Sequence, residues 1–265
     1  MVTEKYITID NSTIYYQVTG KGNPVVLVHG FGEDSGIWNA SVDFLKTSFR
    51  LIVPDLPGSG KSELLLKENT AMGDYARCIY LIIMQEKISQ CIMIGHSMGG
   101  YITLAFAKQY PEILKAFVLF HSSAYADDPE KIETRKKGIS FIEANGAQAF
   151  LKTSIPGLFY DAHESDKYIK ELIIKAEKFS AEALIQYYQA MIARPDSISL
   201  LEDFAGTVLF IVGMHDRAIL YQHSLQQSHL PKQPYIYVLR KSAHMGMLEE
   251  PEKSNKSLYE MLHNI

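Results

Sequence analysis

The chain has 265 residues, enough for one large α/β domain with a substantial core. Its composition, 47% hydrophobic and 21% charged, is ordinary for a soluble globular protein. A formal net charge of −4 and the lack of any Lys/Arg-rich stripe argue against a polyanion binder, so nucleic acid is not an expected partner. Cys78 and Cys91 both lie in apolar stretches and read as buried free thiols, and no apolar stretch approaches the roughly 20 residues of a membrane span.

The first residues, Met1-Val2-Thr3-Glu4-Lys5-Tyr6, lack the apolar run of a signal peptide, and a cytoplasmic location is the resulting expectation. Tyr6–Ile9 and Thr13–Val18 are β-branched and aromatic, with Asp10-Asn11-Ser12 between them, which predicts an antiparallel hairpin. The next runs, Pro24–Val28, Leu51–Val53, Cys91–Ile94, Ala116–Phe120 and Thr207–Val212, are apolar without alternation, as in strands covered on both faces. A last run is Tyr235–Leu239. Helical patterns lie between, at Ala71–Met84 and at Met98–Gln109, where Pro111 soon follows. This alternation predicts a mostly parallel sheet flanked by helices.

Residues 124–201 break the rhythm. They hold no strand pattern but three helical stretches, at Pro129–Ala144, Asp166–Phe179 and Ser180–Ala193. The expected organisation is a core domain of residues 1–123 and 202–265, with 124–201 as an inserted helical lid. The lid carries Phe150, Phe159, Tyr160, Tyr187, Tyr188 and Met191. Of these, Phe159, Tyr187 and Tyr188 are the candidates for a substrate pocket, and packing of the lid onto the core is the competing role for each.

Gly95-His96-Ser97-Met98-Gly99-Gly100 follows one apolar run and opens a helical pattern. This is the strand–turn–helix context in which Gly-x-Ser-x-Gly exposes a nucleophilic serine, with glycines giving strand and helix room to approach. A serine needs a base to become a nucleophile. His244 follows the last strand, where a base is expected in the chain order Ser, Asp, His. His29 and His96 belong to neighbouring motifs, His121 precedes the lid, and the remaining histidines lie in helical, loop or terminal stretches. Asp216, after the Thr207–Val212 strand, is the candidate to hold the imidazole in one tautomer, with Asp203 as a weaker rival. The backbone N–H groups of Phe31, in the loop after Val28, and of Met98 are candidate donors for an oxyanion. His29 reads as a hydrogen-bonder that stabilises its loop. Gly58-Ser59-Gly60-Lys61-Ser62 ends like a phosphate-binding loop, but Asp55 stands where the first glycine belongs and Pro57 removes a donor, so a turn is expected instead.

With these motifs in order along nearly the whole chain, the sequence resembles the α/β-hydrolase superfamily. The resemblance implies Ser97, Asp216 and His244 as a catalytic triad, Phe31 and Met98 as oxyanion donors, and a helical lid. Ser97 argues against the branches that use an aspartate nucleophile. The Ser97-Met98-Gly99-Gly100 run is similar to that of small carboxylesterases and of carbon–carbon bond hydrolases of meta-cleavage pathways. The leading expectation is a carboxylesterase acting on a small-molecule ester. The alternatives are hydrolysis of a carbon–carbon bond next to a carbonyl, and a signalling protein of slow turnover that keeps the triad. No metal or organic cofactor is expected, because no His/Cys/Asp cluster has ligand spacing.

Overall fold

The computed structural model describes residues 2–265. Eight strands form one sheet: β1 Thr3–Ile9, β2 Ser12–Thr19, β3 Asn23–Val28, β4 Phe49–Pro54, β5 Cys91–His96, β6 Leu114–Phe120, β7 Thr207–Gly213 and β8 Gln233–Leu239, in the order β1-β2-β4-β3-β5-β6-β7-β8. β1 and β2 form the expected hairpin, with Ile9 opposite Ser12. Asp10 and Asn11 take φ of 50° and 66°, the left-handed pair of a tight turn whose twist matches its strands. β2 runs antiparallel to β4, and every later pairing is parallel.

The unalternating apolar runs are the interior strands. Every residue of β5 and of β7 is buried, because helices cover both faces, whereas the edge strand β8 is exposed along most of its length. The helices of this layer are α1 Asn39–Leu45, α2 Met72–Gln85 and α3 Met98–Gln109. Strand order reverses beside β3: the chain crosses to β4 on one side and returns to β5 on the other. A crevice opens at the carboxyl ends of strands where the order reverses in this way, and β3 and β5 deliver the His29 loop and Ser97 to that point.

Between β6 and β7 the chain makes α4 Pro129–Asn145, α5 Ala147–Ser154, α6 Asp166–Ala176, α7 Ala181–Ile192 and α8 Ile198–Asp203. Asp128 caps α4, accepting from Lys131 N at 2.8 Å with Pro129 in the first turn, and Ser180 caps α7 through Ala183 N. After β7 come α9 Tyr221–Gln227, α10 Gly246–Glu249 and α11 Pro251–His263. α1, α5, α8, α9, α10 and α11 match none of the helical stretches expected from sequence. Among the described residues no helix is long and apolar enough to cross a membrane.

The segment resembling a phosphate loop is a turn anchored on Asp55. Its Oδ1 accepts from Ser35 N and its Oδ2 from Lys61 N, both at 2.8 Å, and a Cβ on Gly60 would lie 2.0 Å from Oδ2. Cys78 and Cys91 are buried and free, and burial pushes both thiols up to about 12, so neither is a nucleophile at neutral pH.

Candidate active site

Ser97 joins β5 to α3 at φ 51° and ψ −116°, a conformation rare outside glycine. Two glycines permit the sharpness of this turn. A Cβ on Gly95 would lie 2.4 Å from Gly99 O, and one on Gly99 would lie 2.3 Å from Val28 O. Hydrogen bonds on both sides fix the turn: Ser97 N donates to Phe120 O, and Ser97 O accepts from Gly100 N and Ser122 Oγ. The strain is held by its surroundings, as at other functional turns. Met98 N is the first N–H of α3, so it has no partner inside the helix and adds to the positive end of the helix dipole.

The loop after β3 is fastened from below. Leu56 N donates to His29 Nε2 at 2.9 Å, which leaves Nδ1 to donate to Gly30 O at 2.9 Å. Glu33 Oε2 accepts from Gly30 N at 2.7 Å and from His96 Nδ1 at 2.9 Å, while His96 Nε2 donates to His244 O at 2.9 Å. Both partners of the His96 ring are acceptors, so the ring must carry both protons. Burial opposes this, but the Glu33 carboxylate overcomes it and raises His96, and Glu33 is held below the usual carboxylate range by the same pairing. A buried ion pair thus ties the Phe31 loop, the Ser97 turn and the His244 loop together.

Asp216 and His244 come together as the chain order suggested, with His244 Nδ1 2.8 Å from Asp216 Oδ2. The acid has further partners. Asp216 Oδ1 accepts from Ala218 N at 2.8 Å and Ile219 N at 2.9 Å, and His121 Nδ1 lies 3.2 Å from Oδ2. Burial alone would raise this carboxyl, but His244 and His121 drive it far below the usual range. Sequence reasoning passed over His121 as a residue in the wrong chain order. It stands at the end of β6, next to β7, at φ 47°. Gly246 N donates to its Nε2 at 3.2 Å and Gly213 N to its Nδ1 at 3.1 Å, so backbone N–H groups reach both ring nitrogens and hold the ring beside Asp216. Burial lowers His121 to about 4, so the ring is neutral. An adjacent histidine after the central strand β6 was the available signal. Asp203 ends α8, exposed and away from these loops.

Ser97, His244, Phe31 and Tyr188 border one cavity of about 790 Å³, lined mainly by α4, α7, the loop after β6 and the loop after β7. Phe31 stacks on Tyr188 with ring centres 4.4 Å apart. Phe159 and Tyr187 do not line this cavity. Tyr187 is fully buried and donates to Pro57 O at 2.7 Å, and Phe159 is buried between two anchors of its segment. Those anchors are His244 N donating to Leu158 O at 2.9 Å and Tyr160 N donating to Glu249 Oε1 at 2.6 Å. Of the other aromatics, Phe150 lines a smaller chamber of about 100 Å³ that Phe31 and Tyr188 also border, and Met191 lines the large one. Tyr160 is exposed and stacks on His215. Among the described residues one cluster, His121, Asp216 and His244, has a spacing a metal could use. The Asp216 oxygens already accept from two backbone N–H groups and from His244 Nδ1, and both His121 nitrogens meet backbone N–H groups, so these donor atoms are already engaged in hydrogen bonds.

Comparison with known proteins agrees with this architecture. A family model described as alpha/beta hydrolase fold matches residues 23–251. A 2-hydroxy-6-oxononadienedioate/2-hydroxy-6-oxononatrienedioate hydrolase of Burkholderia vietnamiensis is 25% identical, over 98% of this chain and 96% of its own. An (E)-2-((N-methylformamido)methylene)succinate hydrolase of Acinetobacter baylyi is 24% identical over 97% of each. Among solved structures, a thermophilic esterase from Thermogutta terrifontis with malate bound superposes with a TM-score of 0.92 at 27% identity, covering 99% of this chain and 98% of that one.

Proposed function

The chain belongs to the alpha/beta hydrolase fold family, and from that premise we propose that it is a serine hydrolase cutting a small-molecule carboxylic ester through an acyl-enzyme intermediate. The observation that carries this reading is a strained Ser97 that borders the same cavity as His244, with His244 hydrogen-bonded to a buried Asp216.

In this mechanism Ser97 Oγ attacks the ester carbonyl carbon as His244 Nε2 takes its proton. Asp216 keeps the other proton on Nδ1 and stabilises the imidazolium. The carbonyl oxygen becomes an oxyanion that meets the N–H groups of Met98 and Phe31. Collapse expels the alkoxide with the proton from His244, leaving an acyl group on Ser97 Oγ. Water then attacks that acyl group as His244 takes its proton, and the acid leaves with Ser97 restored. His121 acts as a positioning residue, its ring held by Gly213 N and Gly246 N against the Asp216 carboxylate. Residues 124–201 serve as a cap over the cavity, and their anchors at Leu158 and Tyr160 couple the cap to the His244 loop. The likeness to the Burkholderia hydrolase over 98% of the chain favours a second reading, in which the same groups cut a carbon–carbon bond next to a carbonyl.

The test is labelling and turnover. A fluorophosphonate is expected to modify Ser97, and Ser97→Ala is expected to lower kcat on p-nitrophenyl esters by on the order of 10⁴ or more. Full activity in that variant removes the proposal. Faster turnover of a vinylogous diketone than of any ester selects the second reading.

A further inference from the structure

The cavity wall supplied by α4 and the end of α7 carries more buried positive charge than buried negative charge. The Asp127 side chain is fully buried and sits between two guanidinium groups, with Arg135 Nε at 2.5 Å and Arg194 Nη2 at 3.0 Å. Arg194 also donates to Met191 O at 2.8 Å and Tyr125 O at 2.9 Å, and lies 3.8 Å from the centre of the Tyr101 ring. Lys131, one turn before Arg135 on α4, donates to Ala218 O at 2.8 Å. Two largely buried guanidinium groups therefore stand against one buried carboxylate, with the half-buried Lys131 ammonium on the same cavity. The other acids on this cavity do not redress the balance. Asp128, Glu130 and Asp196 are exposed at its rim, where Arg217 is exposed as well, and Glu33 is paired with His96. Exposed charges are screened by water and salt, and buried ones are not.

Uncompensated charge in a partly dry wall is unfavourable unless an anion meets it. The field of this wall also acts on Tyr101. Burial would raise its phenol, yet Arg194, Lys131 and Arg135 together hold it below its ordinary value. The smaller chamber, of about 100 Å³, is apolar: Phe150, Leu151, Ile155, Leu172 and Met245 line it, and it has room for a few carbon atoms. Phe31 and Tyr188 border both spaces.

Resting on the esterase reading above, we propose that the substrate is the short-alkyl monoester of a dicarboxylic acid, its free carboxylate held by Arg135 and Lys131 and its alkyl group seated in the apolar chamber. The ester carbonyl then lies between them, at Ser97. A guanidinium and an ammonium donate charge-assisted hydrogen bonds to a carboxylate, and these are about twice as strong as neutral ones. Asp127 and Arg194 keep Arg135 in place without neutralising the wall.

The test compares monomethyl adipate with methyl hexanoate, which differ by a carboxylate in place of a methyl group. The ratio of their kcat/KM values is expected to exceed 10 in the intact protein, and to fall about tenfold in Arg135→Gln and in Lys131→Gln. A general loss of fold moves both esters together and leaves the ratio alone. Lys131→Gln carries the test where Arg135→Gln does not fold. A ratio at or below 1 in the intact protein, or a ratio that neither variant changes, overturns the proposal. Where the protein hydrolyses neither ester, the esterase reading fails and binding decides separately. Calorimetric binding of adipate to the intact protein, weakened at least tenfold in Lys131→Gln, sustains the carboxylate site. No adipate binding, or binding unaltered in that variant, overturns it.

Discussion

At the carboxyl edge of the sheet, side chains are aimed by backbone. Ser97 is fixed by its own strained dihedrals and the contact of Gly99 with Val28 O, and Asp216 by two N–H groups of its own loop. Between β6 and β7, by contrast, a residue's task depends on which face of a helix it occupies. Tyr187 and Tyr188 are consecutive on α7, yet one is sealed against Pro57 and the other walls the cavity. Successive residues on a helix point about 100° apart. The two regions therefore divide the work. On the function proposed above, the strand-end loops hold a reaction geometry that tolerates little change, and the helical segment can alter what is admitted without disturbing it. Loops on a rigid scaffold commonly carry chemistry in this way.

The comparison breaks most sharply at the acid. Asp216→Asn keeps the shape and the hydrogen-bonding capacity of the side chain but removes the charge that orders the imidazole. Activity on p-nitrophenyl acetate is expected to fall by roughly 10²- to 10⁴-fold with the far-UV circular dichroism unchanged. A loss under tenfold would show that the His244 loop orders the base without it.

His121 sharpens the same side of the comparison through pH. Its folded value of about 4 lies below its ordinary 6.5, so the unfolded chain takes up this proton more readily than the folded one. Stability is then complete above pH 6.5 and declines as pH falls toward 4, by about 3 kcal/mol from this group. Asp216, Glu33 and Asp127 are held below their ordinary values, so their contributions are lost further down, as pH falls through their folded values. Urea unfolding of His121→Gln between pH 6.5 and 4.5 should be flatter than that of the parent, and kcat should drop about tenfold with KM retained. Parallel pH curves for the two proteins would count against a neutral buried His121.

The helical side gives the smallest effects. Tyr188→Ala removes a wall of the cavity and is expected to change the kcat/KM ratio of short to long acyl esters about tenfold, as 1–3 kcal/mol of pocket contact implies. Tyr187→Phe deletes a buried hydrogen bond to Pro57 and should cost about 1 kcal/mol of stability in urea while leaving that ratio as it was. The reverse pattern would exchange the two roles.

The strands and the turn around Ser97 were legible from sequence because their causes are local. Unbroken apolar runs bury both faces of β5 and β7, Asp10 and Asn11 accept positive φ, and glycine is required where helix and strand meet. Asp216 and His244 could be brought together in advance because each follows a strand, and neighbouring parallel strands end at one edge. The helices from 124 to 201 could be outlined from periodicity and caps, but not oriented. α7 buries Leu184, Tyr187 and Met191 while leaving Tyr188 against Phe31, and all four read as apolar in sequence.

What needed the tertiary structure is what depends on distance through space. His121 reaches Asp216 because β6 and β7 are adjacent, although the two residues stand on opposite sides of an inserted helical segment in the chain. Glu33 meets His96 only once β3 and β5 pair, and the balance of Arg135, Arg194 and Lys131 against Asp127 exists only when α4, α7 and the loop after β6 share a wall. Sequence determines local backbone preference and burial, which are short-ranged. The protonation state and charge of a site depend on which groups are brought within a few ångströms, and packing of the whole chain decides that.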